Sequence, residues 1–451
     1  MRQISTRTRL LLLFAWIALA SASARTQDVA DNESLLAWLR ANSSPLASLN
    51  PGADFSDLQP LKDALTGVRV VGLGEATHGT HEFFLLKHRL LRFLITELGF
   101  TAFALEAGSA DIEPLDEYVV RGTGDLATAL TEQGYTCWDT EEMTATIDWI
   151  RSYNTHVPDA RKVRIIGLDI GFNPRGRARV LAYLRTHAPQ RLAETETVFR
   201  TLSEVEAGFP FNWPRERAAA TRGQVEALRD FLIAEKVRLG PGSAGELDPV
   251  IRDIQRTVQQ TLWAAPAGTP GRRGRPEAMA DNLLELIKNR PETKFIVSAF
   301  NGHTAVRGPG GQVNIGSELR ALLGPAYFNI GLEFGKGSSQ MRRGDAQGTL
   351  GAFEEVAMPA PPAGSLPWFL AQVRGGDFFV NLRAPRSPSI DQWLARPIPA
   401  HALGWAHRPG EVQTMTDGAV GRYDGLLFVA TTSRARPTKN ALATVARRGG
   451  F

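Results

Sequence analysis

Five short runs of almost uninterrupted apolar residues, Val68–Leu73, Thr101–Leu105, Val163–Leu168, Phe295–Ala299 and Tyr327–Leu332, punctuate the chain. Their length and β-branched content predict buried strands. Between the first two, Phe83, Leu86, Leu90, Leu94 and Leu98 recur at helical spacing, Lys87, Arg89 and Arg92 fall off that stripe, and Gly99 supplies a stop. Strand, helix, strand is thus spelled out from residue 68 to 105. Repetition of that unit predicts an α/β fold: a mainly parallel central sheet flanked by helices.

The long interval between the third and fourth runs is almost free of strand signal. Glu194–Ala207, Pro214–Leu239 and Glu246–Trp263 are rich in helix formers, Pro214 suits a first helical position, and GFPFNW, GPGSAG and APAGTPGRRGRP break the pattern. A large helical insertion is therefore expected over about 190–290, within a single domain running from 25 to 451. Beyond residue 340 proline and glycine become frequent, yet FFVNLR (378–383) and YDGLLFVATT (423–432) still read as strands.

Composition adds limits. With 451 residues, 43% hydrophobic and 22% charged, the chain is an ordinary globular one, long enough for an enzyme core. Residues 1–24 join Arg2, Arg7 and Arg9 to an apolar run (Leu10–Ala20) and the triplet Ala22, Ser23, Ala24. That is the form of a signal peptide cleaved after Ala24, which predicts export to the periplasm or beyond and no stable membrane insertion afterwards. The net charge of +4 includes those arginines, so the mature chain is nearly neutral and lacks the basic face that nucleic acid requires. Cys137, expected to be buried, is the only cysteine and leaves no internal disulfide or cysteine-based zinc cage. Nothing in the pattern fixes an oligomeric state.

Candidate chemistry follows the strand ends. Glu75 and His78 come after the first run, Glu106 after the second, Asp169 after the third, and Asn301 and His303 after the fourth. Ligands of open parallel sheets bind outside the carboxyl ends of the strands, so these termini are expected to converge on one crevice. Taken singly, Asp169 reads as a helix cap, His81 and Glu82 as first-turn residues, and His88, His156, His187, His401 and His407 as surface or packing residues without polar partners. No Gly-x-Ser-x-Gly elbow, dinucleotide glycine fingerprint or Walker loop is present. Two chemistries remain open: a carboxylate-held histidine acting as general base toward water, or the same side chains holding a divalent metal that activates it.

The run GLGEATHGTHEFF, with FALE after the next strand, resembles the erythromycin esterase family, as do WDTEEM (138–143), RPEAMADN (275–282), FNGH (300–303) and YDGLLFVATT. The resemblance implies hydrolysis of a small-molecule ester or lactone, in that family a macrolide, by activated water without a covalent serine intermediate; the leading expectation adds that no metal or other cofactor is needed. By the same resemblance His78 is the general base, Glu75 and Glu106 are its carboxylates, His303 is the second histidine, and Arg275 orients a carbonyl or stabilises an oxyanion. His81, Trp138, Asn301 and Phe300 are expected to meet the substrate, with Phe211 and Trp213 completing an apolar wall. Phe300 departs from the pattern, because the family often carries histidine there. A metal-dependent hydrolase, or an envelope protein that binds haem or another ligand without turnover, are the alternative readings.

Overall fold

The computed structural model describes residues 31–171, 173–207, 213–344, 350–407 and 418–448. The expected signal peptide and Phe211 lie outside the described residues.

Among the described residues ten strands form one sheet: β1 (Ser43–Pro45), β2 (Val70–Leu73), β3 (Ala102–Gly108), β4 (Arg164–Asp169), β5 (Phe295–Ser298), β6 (Tyr327–Gly344), β7 (Leu350–Met358), β8 (Phe378–Asn381), β9 (Ala406–His407) and β10 (Gly425–Thr432). The spatial order is β1-β8-β10-β6-β2-β5-β3-β4, with β7 and β9 beside the overhanging half of β6. From β10 to β4 every neighbouring pair is parallel; β1, β8 and β7 pair antiparallel. The expected α/β class and mainly parallel sheet are therefore what the chain forms.

Parallel strands covered on both faces need apolar residues at successive positions, which is why the five runs were unbroken. Val71, Leu73, Phe103, Leu105, Ile296 and Ile330 share one core with Phe83, Leu86 and Leu90 of α1 (His81–Leu98). Val70, Ala102, Ala104, Val297 and Tyr327 face the other way, onto Met279 and Leu283. Helix α2 (Glu141–Thr155) opens on a Thr140 cap whose hydroxyl accepts from Met143 N–H.

The expected helical interval divides between two layers. Helices α3 (Pro174–His187), α4 (Leu192–Ala207), α5 (Arg215–Leu239) and α6 (Ala244–Ala264) build a core of their own around Val180, Val225, Leu232 and Ile254. Trp213 belongs to that core, which removes it from the substrate wall assigned to it. Pro214 precedes the first residue of α5 instead of starting it. Helix α7 (Arg275–Asn289) instead lies against the sheet through Met279, Leu283 and Ile287.

Candidate active site

The order β2-β5-β3-β4 places four adjacent strand ends side by side, and each delivers a polar residue to the same crevice. Glu75 and His78 leave β2, Glu106 lies near the end of β3, Asp169 closes β4, and β5 runs into α8 (Asn301–Thr304), which carries His303.

Glu75 Oε1 lies 2.6 Å from His78 Nδ1. An ionised carboxylate at Nδ1 fixes the tautomer with its proton there and leaves Nε2 as the basic nitrogen. The other oxygen, Oε2, accepts from Lys87 Nζ at 2.7 Å, and Lys87 also donates to Ser298 Oγ at 2.9 Å. Lys87 and Arg89, off the apolar stripe in the sequence, are both buried. The available signal was a second stripe, Phe84, Leu91 and Ile95, in phase with Lys87: α1 is apolar nearly all round, and a lysine inside such a helix must have an anion.

A second carboxylate–imidazole contact stands beside the first. Glu106 Oε1 accepts from Arg275 at 2.9 Å and lies 3.3 Å from His303 Nε2, while Oε2 accepts from Phe300 N–H at 2.9 Å. Burial would raise the Glu106 carboxyl, but His303 and Arg275 outweigh it and hold the group well below the usual carboxylate range. Asp169 is no helix cap. It clamps Arg275 through both oxygens, at 2.9 Å to Nε from Oδ1 and 2.6 Å to Nη2 from Oδ2, and accepts from Tyr135 O–H at 2.6 Å. Burial first, then Asp169, pushes the Tyr135 phenol well above its ordinary range, so it stays a donor. Three buried carboxylates thus face two fixed cations, Lys87 and Arg275, and the deficit suits one imidazolium.

Aromatic rings enclose the His78 imidazole. Trp138 meets the His78 ring edge-on at 5.1 Å between centroids, Phe300 meets it at 5.8 Å, and Phe300 meets His303 at 6.1 Å. Phe300 therefore stands between the two histidines. His78 is 8% exposed, and a Cβ at Gly404 would come within 3.9 Å of its Nε2. Gly79, directly after it, has no room for any side chain, since a Cβ would fall 1.8 Å from the Gln340 carbonyl oxygen.

Other sequence candidates fall elsewhere. The Asn301 amide is spent on the backbone of Leu332, donating to its carbonyl at 3.0 Å and accepting from its N–H at 3.3 Å, so it locks α8 to β6 instead of meeting substrate. His81 begins α1 and pairs with Glu142 Oε1 at 2.5 Å. Glu142 also accepts from Arg436 N–H, which makes this pair a tie between α1, α2 and the chain after β10. Of the histidines read as lacking polar partners, His187 contacts Glu246 and His401 contacts Glu333. His88 fits the packing role, with burial pushing it down to about 4. Cys137 is half-buried, and burial pushes its thiol up.

The sequence profile of the erythromycin esterase family matches residues 95–432, a stretch that takes in Glu106, Asp169, Arg275 and His303. The chain belongs to the erythromycin esterase family. Erythromycin esterase type II of Escherichia coli is 27% identical over 325 residues, 65% of this chain and 76% of that one. A solved structure from Bacillus cereus superposes with a TM-score of 0.75 at 26% identity, covering 90% of this chain and 99% of that one. A histidine variant of the erythromycin esterase EreC in its open conformation superposes with a TM-score of 0.66 at 16% identity, covering 88% and 98%. Erythromycin esterase family membership makes this a hydrolase of esters acting on a small molecule. The carboxylate–histidine pair that follows β2, with Lys87, lies before the matched stretch.

Proposed function

We propose that the protein hydrolyses the ester or lactone bond of a small molecule by water that His78 deprotonates. The observation that carries this reading is the 2.6 Å contact of Glu75 with His78 Nδ1, which leaves Nε2 basic on the side where Gly404 has no side chain. Water would add to the carbonyl carbon as Nε2 takes its proton, and the imidazolium would be balanced by Glu75 and by the surplus carboxylate charge. His303, whose Nε2 faces Glu106, would donate to the tetrahedral oxyanion from Nδ1. Collapse breaks the acyl–oxygen bond, and the His78 proton passes to the leaving alkoxide. Arg275 holds Asp169 through Nε and Nη2 and Glu106 through Nη2, and Nη1 is the nitrogen with which it would meet a carbonyl or oxyanion.

Ser298, at the end of β5, accepts from Lys87 at 2.9 Å and so belongs to the support of Glu75. Trp138 and Phe300 favour an apolar acyl or alcohol group beside the carbonyl, and a macrolide lactone is one substrate of that description. The test is incubation of the purified mature chain with simple esters, small lactones and a 14-membered macrolide, followed by mass spectrometry. Gain of one water by any of them, lost about 10²- to 10⁴-fold in His78→Asn, supports the reading. No gain across the set, or an active His78→Asn, overturns it. Export by residues 1–24 is part of the same proposal, and a secreted chain beginning at Arg25 is its signature.

A further inference from the structure

β6 carries a glutamate where an aliphatic residue would serve the sheet better. Glu333 sits between Leu332 and Phe334 and is fully buried. Its Oε2 lies 3.3 Å from His401 Nδ1, and its Oε1 has no hydrogen-bond partner. A buried carboxylate whose hydrogen bonds come from His401 alone, ring and backbone, is costly to the fold, so its presence calls for a return elsewhere. Arg422 and Tyr423 are the other buried polar groups that act on it.

His401 is held on its face as well as its edge. Its ring stacks on Phe334 with centroids 4.0 Å apart and planes 10° from parallel. A few residues on, the same segment grips the chain that carries His78. Leu403 N–H and Gly404 N–H both donate to the Ala76 carbonyl, at 2.9 and 3.1 Å, and the Gly404 carbonyl accepts from His78 N–H at 2.9 Å. Gly404 holds φ at +58°, a conformation that favours glycine, and stands against the Nε2 edge of the imidazole. Residues 401–404 thus bridge a buried acid in β6 to the one edge of His78 that Glu75 does not occupy.

We propose that Glu333 and His401 are positioning residues for His78: their contact fixes the 401–404 segment so that Gly404 bounds, without filling, the space in front of Nε2 where water and the ester carbonyl enter. This rests on His78 being the base of the hydrolytic reading. It assigns a function to a histidine and a glutamate that touch none of the reacting groups.

The experiment compares His401→Phe, which keeps a ring on Phe334 but loses the contact to Glu333, with His401→Asn, which keeps a side-chain donor there, and with Glu333→Gln, all in the full mature chain. Two quantities are read: the rate at which diethyl pyrocarbonate modifies His78, followed by peptide mass spectrometry, and kcat and KM on any ester the parent turns over. Thermal unfolding selects the variants that fold. His401→Phe should change the His78 modification rate at least threefold and lower kcat about 10- to 100-fold with little change in KM, a response typical of misplaced reacting groups. His401→Asn should restore most of both. A folded His401→Phe with parental His78 reactivity overturns the proposal, and so does a loss of kcat that His401→Asn leaves unrelieved. Should the parent hydrolyse nothing, the hydrolytic reading fails by itself, and the reactivity of His78 still decides whether residues 401–404 position it.

Discussion

Lys87 Nζ and His78 Nδ1 share one carboxylate, 2.7 Å from Glu75 Oε2 and 2.6 Å from Oε1 respectively. The ammonium orients Glu75, and Glu75 in turn selects the tautomer of His78. Replacing Lys87 by methionine keeps the volume and strands a buried anion, so stability should fall by about 3 to 5 kcal/mol in chemical denaturation. Where the variant folds, Glu75 loses the cation that orients it, and kcat should fall at least about tenfold with little change in KM. An unchanged kcat would separate Lys87 from the Glu75–His78 pair.

Phe300 occupies the gap between two imidazoles, and its backbone N–H, not its ring, holds Glu106. Phe300→His should therefore fold and keep the Glu106 contact while turning an apolar wall into a hydrogen-bonding one. The ratio of kcat/KM for an apolar ester to that for a hydroxylated lactone should shift at least about tenfold, the scale on which a pocket discriminates by one polar group. Equal ratios in both proteins would show that Phe300 has no part in selecting substrate.

Where the insertion meets the end of β3, burial raises Asp253 to about 7 and Asp111 to about 6. Arg179 opposes the effect on Asp253 from 3.3 Å, while Glu113 adds to it. A carboxyl whose folded value exceeds its unfolded one favours the fold when protonated, so this contribution is complete at about pH 4 and is lost as pH rises through 6 and 7. Asp253→Asn should raise the Tm clearly at pH 8 and leave it nearly unchanged at pH 4. A gain of equal size at both values would assign the effect to something other than ionisation.

Both oxygens of Glu75 and both of Glu106 are already engaged, and Lys87 and Arg275 stand where a divalent ion would be repelled. Hydrolysis should accordingly persist after dialysis against a chelator and show no stimulation by zinc or manganese. Loss on chelation with recovery on adding a divalent ion would transfer the water-activating role to a metal.

Glu75, Glu106, Asp169 and His303 were legible because each follows an apolar run, and parallel strands align their carboxyl ends without further instruction. The partners those groups hold were harder to read. Asp169 resembled a cap because its true partner, Arg275, is remote in sequence, and Asn301 resembled a ligand because an amide after a strand gives no hint that it closes on Leu332. Lys87 was legible only through the second apolar stripe of α1, and Glu333 and His401 could not be paired from the sequence because 68 residues separate them. The extension of β6 to Gly344 and its pairing with β7 were missed for a related reason, since past Phe334 the strand carries glycine, serine and arginine instead of an apolar run.

Because Val180, Val225, Leu232 and Ile254 pack with one another apart from the sheet's cores, helices α3 to α6 form a cooperative unit of their own. Separate packing of this kind predicts that their amide protons exchange through a local opening whose free energy those side chains set, before the strands of the sheet open. Sequence drift in this unit can retune how often it breathes without disturbing the geometry of His78 and Glu75, so one catalytic floor can serve under many different roofs.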